Sequence, residues 1–354
     1  VKWVDNPLDL ARNKSIDVVV ELIGGASGIA YELAKLALEN KKSFVTANKA
    51  LIAAKGDELA KIAEKNGVTL AFEASVAGGI PVINTIKNSL TANSVSKVAG
   101  ILNGTCNYIL TTMQKDKRSF ESALKEAQEL GYAEADPEFD IGGMDTAHKL
   151  AILSSLAFGI KPDLQNMHIE GIKRITLADI QYAESLGYKI KLLGVAENIA
   201  GKISQRIHPC LVVKESPIAQ VDGVINAVAI ASDELGPLLL EGPGAGSKPT
   251  ASSVVADIVD VAAGRESFAF GVPVKALNKA KFSEMEKHSG SYYIRLNVKD
   301  VPGVLAAVTS ALSKEKIGVE QVLQPHTKDK TADIIITTHV TEERAIKKAL
   351  VSIG

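Results

Sequence analysis

The feature that most constrains the fold is a near-continuous apolar run, Ile16–Ile23 (IDVVVELI), stopped by Gly24-Gly25. A β-branched run with so little alternation suits a strand buried on both faces. Ser27–Asn40 follows, with Ile29, Leu33, Leu36 and Ala37 at helical spacing. Ser43–Ala47 (SFVTA) predicts a second strand, Lys49–Asn66 a helix ended by Asn66-Gly67, and Val68–Glu73 (VTLAFE) a third strand. Strands separated by helices of this length pair in parallel, as βαβ units.

The rhythm changes from Ser96 onward. Lys97–Leu102 predicts a strand ending in Asn103-Gly104-Thr105, and helices are predicted over Asn107–Lys115, Phe120–Leu130 and Asp145–Phe158. Gly131–Gly143 is an acid-rich loop, the runs between Lys189 and Ala231 suit an antiparallel sheet, and Glu241–Thr250 is a glycine-rich loop before a helix. A polar stretch, Asn278–Ser291, then precedes a β-α-β-β-α pattern. The expected class is α/β: a Rossmann-like parallel sheet in residues 1–95, an α+β substrate and oligomerisation domain in 96–245, and a return segment in 246–275. Residues 276–290 are expected to be a linker and 291–354 a ferredoxin-like module lacking its last strand. A dinucleotide-binding unit normally opens with G-x-G-x-x-G between strand and helix. No such motif occurs, so the sheet is expected to be N-terminally incomplete, without its first βα unit.

Composition narrows the class. Lys plus Arg is 40 and Asp plus Glu 41, a net charge of −1. That balance argues against a nucleic-acid partner, which calls for a basic excess. No apolar run has the length of a membrane span, and two cysteines do not make a disulfide framework. The expectation is a reduced, cytoplasmic protein with neither a nucleic-acid nor a membrane partner.

The chemistry concentrates in Ala127–Lys149, AQELGYAEADPEFDIGGMDTAHK. Asp145 and Lys149 lie four apart, hence on one face of a helix. A helix-start carboxylate paired with a lysine on a solvated face is the ordinary reading of such a pair. The apolar Leu150, Ile152, Leu153 and Leu156 favour a partly dry site instead. This stretch resembles the homoserine dehydrogenase signature, with Ala127, Gly131, Tyr132, Ala133, Asp136, Pro137, Asp140, Ile141, Gly143, Asp145 and Lys149 filling its fixed positions. VVVELIGG, VTANKALIA, FEASVAGGIP, GILNGTCNYIL and GPGAGSKPTAS are similar to further parts of that family.

The resemblance implies NAD- or NADP-dependent interconversion of aspartate 4-semialdehyde and homoserine. It implies Lys149 as the catalytic proton donor, and Glu134, Asp145 and Asp140 as substrate-site acids suited to an ammonium group. It places Gly24, Gly25, Asn48, Lys49, Gly131 and Gly246 beside the cofactor. It assigns a monovalent cation, sodium by expectation, to Glu73, Val76, Gly78 and Ile80, largely through backbone carbonyls. The C-terminal pattern, with DVPGVLAAVTSAL, resembles an ACT domain; Asp300 and Gly303 stand where such modules expose ligand-binding backbone. A purely associative ferredoxin-like module is the alternative. Behind a dehydrogenase, an ACT domain implies control by an amino acid, threonine by expectation, and the family implies a homodimer or homotetramer. Two other readings stay open: a related amino-acid dehydrogenase, and a non-catalytic amino-acid-binding regulator that has lost its cofactor site. The histidines show no metal-ligand spacing, His148 suits an ordinary helix residue, and Cys106 and Cys210 suit core thiols.

Overall fold

The computed structural model describes residues 2–265, 267–325 and 331–353. They divide into two compact units, one of residues 1–180 and 187–282, the other of 181–186 and 283–354.

The first unit opens with the predicted parallel sheet. Val18–Glu21 pairs with Ser43–Thr46, which pairs with Leu70–Ala71, all in parallel. The helices Ile29–Glu39 and Lys49–Asn66 connect them. Lys49–Asn66 has sharp ends for local reasons: the Asn48 side chain accepts the Leu51 N–H, and Gly67 takes the left-handed conformation that closes a helix. After Leu70–Ala71 the chain turns through a 3₁₀ segment, Glu73–Ser75, and enters a short helix at Val82.

A six-stranded sheet follows, in the order His168–Ile169, Lys202–Val213, Tyr188–Ile199, Val95–Ile101, Ile225–Ser232, Pro237–Pro243. Every pairing is antiparallel except that of His168–Ile169 with Lys202–Val213. The helix Met144–Phe158 packs on this sheet and on Lys49–Asn66. Eleven of its residues are buried, Asp145 and Lys149 among them. Gly194 lets it approach closely, since a Cβ there would stand 3.0 Å from Thr146 Cγ2. The glycine-rich loop expected over Glu241–Thr250 is instead shared by the edge strand Pro237–Pro243 and the helix Ser247–Ala262. Prolines fit that strand because an edge leaves N–H positions that need no partner. The acid-rich loop likewise contains a short helix, Glu138–Ile141.

In the second unit Tyr293–Lys299 and Val319–Leu323 flank the central strand Thr331–Thr338, both antiparallel to it. The helices Val304–Lys314 and Glu343–Ile353 bury Val308, Leu312 and Ile346 against Ile294, Ile334 and Ile336. Part of the expected linker is built into this unit, since Ser289–Gly290 pairs with Thr341–Glu342. Gly354, where a last strand could begin, lies outside the described residues. No helix among the described residues is long and apolar enough to cross a membrane.

Candidate active site

The strand Val95–Ile101 ends at Leu102 and Asn103, where the helix Gly104–Asp116 begins. Asn103 caps that helix by accepting the Cys106 N–H at 2.8 Å. Its amide nitrogen donates to Asp140 Oδ1 and to Asp145 Oδ2, both at 2.8 Å. Lys149 Nζ donates to Leu102 O at 2.7 Å and to Asp145 Oδ2 at 2.8 Å. Lys49 Nζ stands 3.1 Å from Asp145 Oδ1 and 5.8 Å from the centre of the Phe139 ring. Asp145 therefore lies between two lysines and an amide, and is only 4% exposed. Burial pushes its carboxyl up, but the charges of Lys149 and Lys49, with hydrogen bonds from Lys149 and Asn103, outweigh it and hold the group at about 2. Asp140 moves the other way: burial, then the negative Asp145, raise it.

Of the residues singled out in the sequence, Lys149, Asp145, Asp140 and Lys49 thus form one cluster. Glu134 is exposed on the adjoining loop, and its side chain makes no hydrogen bond or ion pair among the described residues. That loop is tied to the cluster through Thr105 Oγ1, which donates to Tyr132 O at 2.6 Å and lies 3.4 Å from Asp140 Oδ2. Gly131 has a structural explanation of its own. It follows the helix Phe120–Glu129 at φ +74°, its N–H bonds Gln128 O, and the Tyr132 N–H reaches back to Ala127 O, the two bonds of a Schellman close.

Gly24, Gly25, Asn48 and Lys49 meet at the carboxyl ends of the first two parallel strands. Asn48 Nδ2 donates to Gly25 O at 2.8 Å. Gly24 and Gly25 are exposed at φ +93° and +86°. The crevice beyond the carboxyl ends of such strands is where dinucleotides bind, with bare backbone facing the ligand. Gly246 caps the sixteen-residue helix Ser247–Ala262, leaving a row of N–H groups at its start. These residues fit a nicotinamide dinucleotide.

Glu73, Val76, Gly78 and Ile80 belong to one buried turn. The Gly78 carbonyl accepts from Ser253 Oγ and the Ile80 carbonyl from the Val82 N–H, both at 2.7 Å. Each keeps a second lone pair, and the buried Ser75 hydroxyl in the same turn has no hydrogen-bond partner among the described residues. Carbonyl and hydroxyl oxygens are the donors a hard cation takes, so the turn fits one. The Glu73 carboxylate itself is engaged elsewhere, accepting the N–H groups of Ile83 and Asn84 at 2.9 and 2.7 Å; burial raises it to about 7. No group of three or more His, Cys, Asp or Glu among the described residues could hold a metal ion.

Asn103 escaped the sequence reading. Its Asn-Gly-Thr context suggests only a turn, although an Asn directly before a helix is also a capping signal. His148 is less ordinary than expected: its ring lies edge-on to Phe139 at 5.4 Å, and its buried Nδ1 has no hydrogen-bond partner among the described residues. Burial, then Lys49, lower its pKa. Cys106 and Cys210 are free thiols, the first buried and the second half-buried.

Three family models match the chain. Residues 2–73 match the NAD binding domain of homoserine dehydrogenase, 81–259 match homoserine dehydrogenase itself, and 292–350 match the ACT domain. The NAD-binding match holds without a G-x-G-x-x-G. The homoserine dehydrogenase of Neisseria gonorrhoeae is 46% identical over 358 residues, 99% of this chain and 82% of the relative's length. That of Pseudomonas aeruginosa is 47% identical over 353 residues, 98% of this chain and 81% of the relative. The crystal structure of a homoserine dehydrogenase from Thiobacillus denitrificans superposes with a TM-score of 0.93 at 46% identity, covering 99% of this chain and 81% of that one. A hyperthermophilic archaeal homoserine dehydrogenase in complex with NADPH gives 0.66 at 28% identity, over 75% of this chain and 77% of that one. With an NAD-binding domain, a lysine–aspartate site and a C-terminal ACT domain in one sequence, the chain belongs to the homoserine dehydrogenase family.

Proposed function

We propose that Lys149 is the proton donor and acceptor for the interconversion of L-aspartate 4-semialdehyde and L-homoserine. One observation carries this. An ammonium has three hydrogens, and Lys149 directs two at protein oxygens, Leu102 O and Asp145 Oδ2. The third is left for a substrate oxygen, so Lys149 can protonate the carbonyl oxygen in reduction and take the hydroxyl proton in oxidation. Asp145 holds both lysines; Lys149 and Asn103 fill Oδ2 and Lys49 takes Oδ1. Asp145 thus positions the lysines and has at most one acceptor place left for substrate. Lys49, beside the same carboxylate, adds positive charge where the substrate oxygen becomes negative. Glu134, its carboxylate open, receives the substrate ammonium, and Asp140 adds a second acid beside it.

The nicotinamide cofactor, NADP or NAD, supplies and accepts the hydride. Gly24, Gly25, Asn48, Lys49, Gly131 and Gly246 would hold it. Glu73, Val76, Gly78 and Ile80 would hold a monovalent cation, sodium by preference, that stiffens the turn leading into the site. The ACT domain takes a small effector, and threonine, an amino acid of the same pathway, is our choice. The assembly is a homodimer or homotetramer, and the free thiols suit a cytoplasmic setting. The test is homoserine-dependent reduction of NADP or NAD by the purified chain, repeated with Glu134→Gln. The wild type should turn over, and the variant should raise the homoserine KM on the order of tenfold with the cofactor Kd unchanged. No turnover with homoserine would remove the reading, and an unchanged KM would remove Glu134 from it.

A further inference from the structure

Glu21, the last residue of the strand Val18–Glu21, is 1% exposed and uses both its carboxyl oxygens as acceptors. Oε1 takes the N–H groups of Ile23 and Gly24, at 2.5 and 2.8 Å. Oε2 takes the hydroxyl of Thr46 at 2.7 Å. The oxygen of that hydroxyl accepts the Asn48 N–H at 2.9 Å. A hydroxyl has a single hydrogen, so the direction of this chain is fixed, and Glu21 is where it ends. The Asn48 side chain then returns to the first loop through Gly25 O, and its own oxygen caps the helix that opens with Lys49. The two loops at the carboxyl ends of the parallel strands are therefore closed into one ring of hydrogen bonds around a buried acid.

What the ring holds is otherwise loosely placed. Leu22 and Ile23 are 65% and 55% exposed, and Gly24 and Gly25 lie open to solvent at positive φ. A loop with two glycines and no packed side chains has little of its own to fix its shape. The same ring sets the start of the helix carrying Lys49, whose ammonium reaches Asp145 at 3.1 Å.

The geometry points to Glu21 as a positioning residue of the dehydrogenase site: through Ile23 and Gly24 it sets the loop that receives the cofactor, and through Thr46 and Asn48 it sets Lys49. This rests on the site assignment proposed above. Glu21 touches neither substrate nor cofactor in this scheme; it acts through the backbone it anchors. A small misplacement of reacting groups is costly to rate, so a hub joining both loops should influence turnover as well as cofactor binding.

Thr46→Val tests the link while leaving Glu21 in place, and Thr46→Ser restores the hydroxyl. Glu21→Gln is the companion variant, because a glutamine offers one acceptor oxygen where two are used. Kinetics are measured on the complete chain well below each variant's thermal midpoint, with Lys149→Ala in parallel. In Thr46→Val the cofactor KM should rise and kcat should fall, together on the order of tenfold or more in kcat/KM, and Thr46→Ser should recover most of both. A purely structural ring would lower the thermal midpoint yet leave kcat and both KM values of the folded variants within about twofold of wild type; that result overturns the proposal. If Lys149→Ala is inactive while Thr46→Val and Glu21→Gln behave as wild type, the positioning role alone fails. If Lys149→Ala is also fully active, the site assignment fails with it. Should Glu21→Gln not fold, the Thr46→Val and Thr46→Ser pair decides.

Discussion

Around Asp145 the partners are cationic or neutral, and they come from three elements. Lys149 lies one turn later on the same helix, Asn103 caps another helix, and Lys49 starts a third. The Asp145–Lys149 contact was legible because residues four apart on a helix must be neighbours. Asn103 lies 42 residues from Asp145 in sequence and was not legible, since nothing local says which acid its amide will meet. The family resemblance puts Lys49 beside the cofactor, and its ion pair with Asp145 is not legible for the same reason. The low value of Asp145, about 2 against an ordinary 3.8, has a consequence for acid stability. Between those values the unfolded chain binds the proton more readily than the folded one. The contribution is therefore complete above about pH 4 and lost as pH falls toward 2, roughly 2 kcal/mol in all. Asp145→Asn should flatten that acid limb and lower stability at neutral pH as well, because it leaves the buried Lys149 and the half-buried Lys49 without their carboxylate partner. Urea unfolding across this pH range checks both effects; an acid limb as steep as wild type would show that Asp145 is not held by the lysines.

Among the elements, those with strong local punctuation were read closely. Lys49–Asn66 matched to the residue, since Asn48 and Gly67 are its cap and its stop. The strand Pro237–Pro243 reads partly as loop in the sequence because its prolines and glycines are loop signals everywhere except at a sheet edge. The turn after Leu70–Ala71 shows how tightly such elements meet. Gly78 has φ +45°, and a Cβ there would lie 2.5 Å from Gly244 O, whereas a Cβ on Gly24, also at positive φ, would meet nothing within 4 Å. Both positions carry the backbone penalty of an L residue in that region, but only Gly78 adds a collision with backbone that cannot swing aside. Gly78→Ala should therefore cost roughly 3 kcal/mol or more and Gly24→Ala about 1 kcal/mol. Thermal midpoints of the two variants measure this; equal losses would mean that the backbone at Gly244 yields freely.

At the scale of the whole molecule the chain joins a catalytic unit to a smaller module with its own core of Ile294, Ile334, Ile336 and Leu312. That module was legible because a β-α-β-β-α pattern fits in about 60 residues and repeats none of the preceding periodicity. Its inclusion of residues 181–186 was not legible, since that segment is distant in sequence. An effector bound by a separate module changes turnover only through a coupling free energy between two sites. Truncation before Ser283 should therefore leave homoserine turnover in place and abolish its inhibition by threonine. An intact enzyme indifferent to threonine and to related amino acids would remove the sensing role and favour simple association. Whether Lys149 moves the proton is read directly from kcat for homoserine oxidation in Lys149→Ala and Lys149→Arg beside wild type. The kcat should fall on the order of 10²–10⁴-fold in Lys149→Ala with homoserine still bound, and recover little in Lys149→Arg, whose guanidinium keeps its charge but does not release a proton. A kcat near that of wild type in Lys149→Ala would contradict that role.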